Sequence, residues 1–98
     1  MKTRSFHREA LEEFDEAAIA YAAINPALGH RFYQVIDSLI IDACTMPQTF
    51  RMIHPPVRRH FTREFPYGIL YVDRPDEIWI LAVMPLHRKP GYWTHRLA

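Results

Sequence analysis

Cysteine is all but missing from this chain: Cys44 stands alone among 98 residues. One thiol cannot build a disulfide framework, and a cysteine-based zinc site is excluded. Glycine is scarce as well, with three residues against eight prolines, which excludes collagen-like and Gly-rich low-complexity sequence. No apolar run approaches the ~20 residues needed to span a bilayer. Charges are scattered from Lys2 to Asp15, so no apolar signal core opens the chain. These absences point to a reducing, cytoplasmic compartment. Also missing are a Gly-rich phosphate loop, a His-Glu-x-x-His pair and a nucleophile elbow, so no metal or cofactor is expected. The composition that remains, 49% hydrophobic and 23% charged, is that of a globular protein. The length suits one domain over residues 1–98. A chain this short buries only about 60–70% of the surface it exposes when unfolded, so the core must draw on most of the apolar positions.

The net charge of +1 conceals an asymmetry. Residues 1–48 hold four basic and seven acidic groups, and residues 49–98 hold eight basic and four acidic ones. Seven of those eight are Arg, whose planar fork suits carboxylate or phosphate. The second half therefore reads either as ordinary solvated strand faces or as a surface for an anionic partner.

Periodicity divides the chain. Lys2 to Phe6 suits a short first strand. From His7, Leu11, Phe14, Ala18 and Tyr21 recur at helical spacing, which predicts an amphipathic helix of about 16 residues. Asn25 and Pro26 cap and open a second helix. It carries Leu28, Phe32, Val35, Ile36, Leu39, Ile40, Ala43 and Met46, and Pro47 closes it. So short a connection makes the two helices an antiparallel hairpin. The period then drops to two. Strands are predicted over Phe50 to His54, Val57 to Phe65, Tyr67 to Asp73 and Ile78 to Met84. The last is apolar on both faces and reads as a central, doubly covered strand. Helices set apart from consecutive strands define an α+β fold, β-α-α-β-β-β, with the hairpin on one face of a twisted, mainly antiparallel sheet. Phe32, Leu39 and Ile80 are predicted core. The sheet's other face is expected to be partly polar and to present Arg.

Two stretches suit recognition. Arg58, Arg59 and Arg63 lie on one predicted strand, with Arg59 and Arg63 on the same face about 13 Å apart. They suit a phosphate track or a carboxylate-bearing peptide, or they simply cover the sheet edge with their stems. After the central strand come His87, Arg88, Lys89, Tyr92, Trp93 and Arg96. A titratable His, cations and two aromatics suit bases and phosphates, or a protein partner; alternatively Tyr92 and Trp93 fold back to cap a small core. His54 and His60, six apart across Pro55-Pro56, read as satisfied or solvated histidines and not as a metal pair.

The hairpin, Val57-Arg58-Arg59 with Phe65-Pro66-Tyr67 and Tyr71, the apolar Ile78 to Val83 strand, and Arg88-Lys89-Pro90-Gly91-Tyr92-Trp93 together resemble the RelE/ParE superfamily of type II toxin–antitoxin toxins. The resemblance is to its ParE-like, plasmid-stabilisation branch and runs from about Phe6 to Arg96. It implies a β-α-α-β-β-β fold and a growth-inhibiting toxin silenced by a cognate antitoxin in a hetero-oligomer. ParE-like members inhibit DNA gyrase, which needs no catalytic set, and that activity is the expectation. RelE-like members are endoribonucleases that cut mRNA on the ribosome, and here His87 with Arg88 and Arg63 would carry that chemistry; a non-toxic binding protein of the same fold is the third reading. The surface for target or antitoxin is expected at Arg58, Arg59, Arg63, Arg88, Lys89, Tyr92, Trp93 and Arg96. No membrane partner is expected.

Overall fold

The computed structural model describes all residues, Met1–Ala98. After β1 (Thr3–Phe6), His7 opens the first helix, its ring Nδ1 accepting the Glu9 N–H at 3.0 Å. α1 spans Arg8–Ile24 and α2 spans Pro26–Thr45. Asn25 alone joins them. Its N–H donates to the Tyr21 carbonyl at 3.1 Å, closing α1, and its side-chain oxygen accepts the Ala27 N–H at 2.8 Å, opening α2. One residue serving both caps forces the reversal into a hairpin.

Four strands follow: β2 (Met52–His54), β3 (Val57–Phe61), β4 (Tyr67–Asp73) and β5 (Glu77–Pro85), and a short 3-10 turn (Thr94–Leu97) ends the chain. The sheet order is β1-β5-β4-β3-β2. β1 runs parallel to β5 and the other pairs are antiparallel, which gives the expected α+β architecture; the strand predicted over Phe50 to His54 forms as the short β2. No helix is long and apolar enough to cross a membrane.

The hairpin covers one face. Phe32 sits at the centre, against Phe14, Tyr21, Phe65 and Tyr67 at ring separations of 4.9 to 6.4 Å. Phe32 and Ile80 are wholly buried and Leu39 nearly so, as their periodicity predicts. β5 alternates between the faces until a bulge. Leu70 pairs with Ala82 and Tyr71 with Ile80, which leaves Leu81 unpaired in the ladder. Leu81 and Ala82 therefore both join the core on the far face.

That far face is less open than the sequence suggests. The tail folds across it, placing Trp93 against Val57, Leu70, Val72, Leu81 and Met84. Lys89-Pro90-Gly91-Tyr92 delivers it through a turn with Gly91 at φ 76° and the Tyr92 N–H on the Lys89 carbonyl. Pro second and a left-handed Gly third are the residues such a turn requires.

The predicted strand over Val57 to Phe65 ends early, at Phe61. The Thr62 hydroxyl accepts the Glu64 N–H, and Arg31 on α2 holds the Glu64 carboxylate. Together they bend the connection towards the helices, and Phe65 turns into the helix-side core. Arg63 consequently does not share a strand face with Arg59. Phe50 likewise precedes β2: its ring stacks 3.7 Å from the His60 ring, and its carbonyl accepts from Arg58.

Candidate functional site: a cationic groove on the far face

A cavity of about 310 Å³ opens where the tail meets the far face of the sheet. Buried Leu70, Met84 and Trp93 form its floor, and Ile53, Phe61 and Leu86 its more exposed rim. Arg59 on β3 and Arg88 in the turn after β5 bring two guanidiniums to it from either side of β4. His54 completes the lining on the β2 side, its ring 6.0 Å from Trp93. Arg59 lies over the Phe61 ring at 5.0 Å and Arg88 over the Tyr92 ring at 4.2 Å. Each cation is thus seated on an aromatic face, which restrains it without neutralising it.

Charge pairing sharpens this. Lys2, Arg4, Arg8, Arg31, Arg74 and Arg96 each pair with a carboxylate. The six cations without one are Arg51, Arg58, Arg59, Arg63, Arg88 and Lys89, all in the second half of the chain. Arg58 is held locally, donating to the Gln48 and Phe50 carbonyls. The acids that lack a Lys or Arg partner are Asp15, Glu16, Asp42 and Asp76, two of them on α1 and one on α2. The unpaired positive charge thus lies in the second half of the chain, and Arg59 and Arg88 bring part of it to the groove.

The residues predicted for recognition divide into two sets. Arg59 and Arg88 line the groove, while Arg63, His87 and Lys89 are exposed but outside it. Tyr92, Trp93 and Arg96 serve the fold. Trp93 is 6% exposed and Arg96 5%, so neither forms an open docking surface. Arg96 donates through Nη1 and Nη2 to Glu13 on α1 at 2.7 and 2.9 Å, and through Nη1 to the Leu81 carbonyl at 3.0 Å. Its Nε stands 3.3 Å from Glu9 Oε2, without hydrogen-bond geometry. Burial works to lower the Arg96 pKa, but the bonds and charge of Glu13 outweigh it and the group stays above its ordinary value. Burial raises the Tyr92 phenol far above its usual range, and its 2.6 Å bond to Glu13 adds to that.

Glu13 and the tail cap a strand edge. β1 stops at Phe6, so β5 beyond Ile80 has no neighbour on that side. Glu13 Oε1 takes the Val83 N–H at 3.1 Å and Arg96 takes the Leu81 carbonyl. Free strand edges need such cover.

Three groove features escape sequence reasoning: His54, the rim residues Ile53 and Leu86, and the role of Glu13. Pro55-Pro56 was the available signal for His54, because a tight reversal there lays β2 along β3. Glu13 is 70 residues from Val83 and 83 from Arg96, and no local pattern reports such a meeting.

The fold is a helical hairpin on a mixed five-stranded sheet, with a cationic groove where the tail crosses the face opposite the hairpin. It is similar to a solved structure described as the chromosomal ParDE TA system from P. aeruginosa, with a TM-score of 0.74 at 19% sequence identity over 87% of this chain and 96% of that chain. No protein-family model matches the sequence, and no curated protein matches it.

Proposed function

We propose that the protein is the toxin of a type II toxin–antitoxin module, inhibiting growth when free of its antitoxin, and that it acts by binding DNA gyrase. The observation that carries this reading is the groove: two guanidiniums without carboxylate partners over an apolar floor, on a fold similar to that of a ParDE system. Such a groove suits a protein segment that brings apolar side chains flanked by carboxylates, since Arg offers those a bidentate match. Antitoxin and target would compete for it.

Binding is favoured over RNA cleavage by the scattering of the acid–base candidates. Cleavage needs a base for the 2′-hydroxyl and an acid for the leaving oxygen within hydrogen-bond reach of one phosphate. Of His87, Arg88 and Arg63, only Arg88 lines the groove.

Inducing the gene alone in a bacterial host tests the proposal. Growth should stop, purified gyrase should lose supercoiling activity in the protein's presence, and translated mRNA should stay intact. The double variant Arg59→Ala/Arg88→Ala should restore growth. Unimpaired growth with the wild-type chain sinks the toxin reading. Codon-phased cuts in mRNA that vanish in His87→Ala replace gyrase binding with RNA cleavage.

A further inference from the structure

The groove depends on a residue that does not line it. Glu13, on the opposite layer, accepts four hydrogen bonds: from Val83 N–H, the Tyr92 hydroxyl, and both terminal nitrogens of Arg96. The Tyr92 ring, fixed by its hydroxyl, lies between two cations, with the Arg88 Cζ at 4.2 Å and the Arg96 Cζ at 5.0 Å. Arg88 itself is exposed and has no carboxylate partner, so the Tyr92 ring is what seats it. Arg88 also lines a second cavity, of about 270 Å³, between α1 and the free edge of β5, where Glu13, Glu16 and Ala17 face Val83 and Pro85.

We infer that Glu13 is the positioning residue of the groove: by holding Tyr92 it fixes the Arg88 guanidinium over the ring, at the border between the groove and the cavity beside α1. A single cation–π contact at an exposed site is weak, so it can place Arg88 only if the ring is itself held still. Arg88 therefore stays where its ring stays. The ring stays because a half-buried phenol donating to a carboxylate is a strong, charge-assisted contact. Fixing the position in advance also removes part of the ordering cost when a ligand binds. Helix α1 thus sets the state of a surface it never touches. This inference rests on the groove being the working site, but not on the identity of its target.

Residue-resolved labelling with phenylglyoxal, which modifies accessible guanidiniums, separates the two questions. In Glu13→Gln and in Tyr92→Phe, the Arg88 labelling rate should change on the order of fivefold, matching the loss of a charge-assisted hydrogen bond. The rates at Arg59 and Arg63 should hold. Tyr92→Phe keeps the ring and every core contact, so it reads positioning without loss of packing, and it keeps the test usable if Glu13→Gln fails to fold. An Arg88 rate unchanged in Tyr92→Phe, or a rate that rises equally at all three arginines, overturns the inference. Growth on induction is scored in parallel. A harmless wild-type chain would remove the toxin reading and leave the labelling result standing. A toxic wild type whose Tyr92→Phe variant relabels Arg88 yet is equally toxic would show that the position of Arg88 does not matter to the groove, and would overturn the inference too.

Discussion

Gly29 on α2 lies so close to Ala22 on α1 that a Cβ at Gly29 would stand 2.5 Å from the Ala22 Cβ and 2.7 Å from its Cα. The one-residue connection at Asn25 leaves no slack to separate the helices. Gly29 in mid-helix would ordinarily cost about 1 kcal/mol relative to Ala; here it is what lets the hairpin close. Gly29→Ala should therefore destabilise the protein by about 1–3 kcal/mol, the usual cost of overpacking, despite its better helix propensity. A urea midpoint equal to or above that of the wild type would contradict this.

A similar close approach shapes the groove rim. The Phe61 ring lies across Gly68 on the neighbouring strand, and a Cβ at Gly68 would fall 1.8 Å from Phe61 Cδ1. Gly68→Ala must push the ring aside, and Arg59 rests on that ring. The loss should be about 1–3 kcal/mol. It should shrink in the Phe61→Ala background, because coupling between touching residues is what a double-mutant cycle detects. Additive losses would mean that the ring does not carry the strain.

Much of the fold could be read in advance because it rests on local signals. Asn25-Pro26, the alternation of Tyr67 to Val72 and the doubly apolar Ile78 to Val83 each specify an element through contacts within a few residues or across one ladder. The predicted strand from Val57 failed at Thr62 because its end is decided by Arg31, 33 residues from Glu64. The site was half legible. Arg59 and Arg88 could be named from charge and place in the order of elements. Trp93 and Arg96 look the same in sequence, yet they are buried, since a single helical hairpin cannot cover both faces of a sheet and the tail must cover the second. Where a polar residue goes depends on which partner meets it, and Glu13, which holds Arg96, is 83 residues away along the chain.

Arg96 offers a direct measure of what the tail contributes. It is buried, and its removal would leave the Leu81 carbonyl uncapped and Glu13 without its cation. Arg96→Ala should cost about 3 kcal/mol, the lower end for breaking a buried pair, because Glu13 keeps partial contact with water. A loss below about 1 kcal/mol, the range of exposed pairs, in chemical denaturation would show that the strand edge needs no such cap.

Acid should loosen the same region. The Glu9 carboxyl is held below its ordinary value of 4.5, chiefly by the hydrogen bond from His95, with Arg96 adding to it. A carboxylate whose pKa folding lowers stabilises the protein above its unfolded pKa and loses that contribution as the pH falls through the folded value. Stability should accordingly decline as the pH drops below about 4.5, and His95→Ala should make the decline shallower. Urea midpoints taken across that range in both proteins test it; identical acid slopes would remove Glu9 as a contributor.

Alkali works on the opposite face of the sheet. Tyr71 is wholly buried and its hydroxyl donates to the Pro47 carbonyl at 2.6 Å, closing the end of α2. Burial pushes its phenol up to about 12, from an ordinary value of 10. A phenol with its pKa raised by folding contributes stability that is full below the unfolded value and is lost as the pH rises towards the folded one. The protein should thus weaken progressively from pH about 10 to 12, with Tyr92 pushing in the same direction. Tyr71→Phe removes one of these groups, so its alkaline decline should be shallower than that of the wild type. At neutral pH the same variant should be less stable by about 1–2 kcal/mol, because the Pro47 carbonyl loses its donor. The two curves should therefore converge as the pH rises. Parallel curves would mean that the Tyr71 hydroxyl ionises without unfolding the chain, and that the bond to Pro47 contributes little to holding α2 on the sheet.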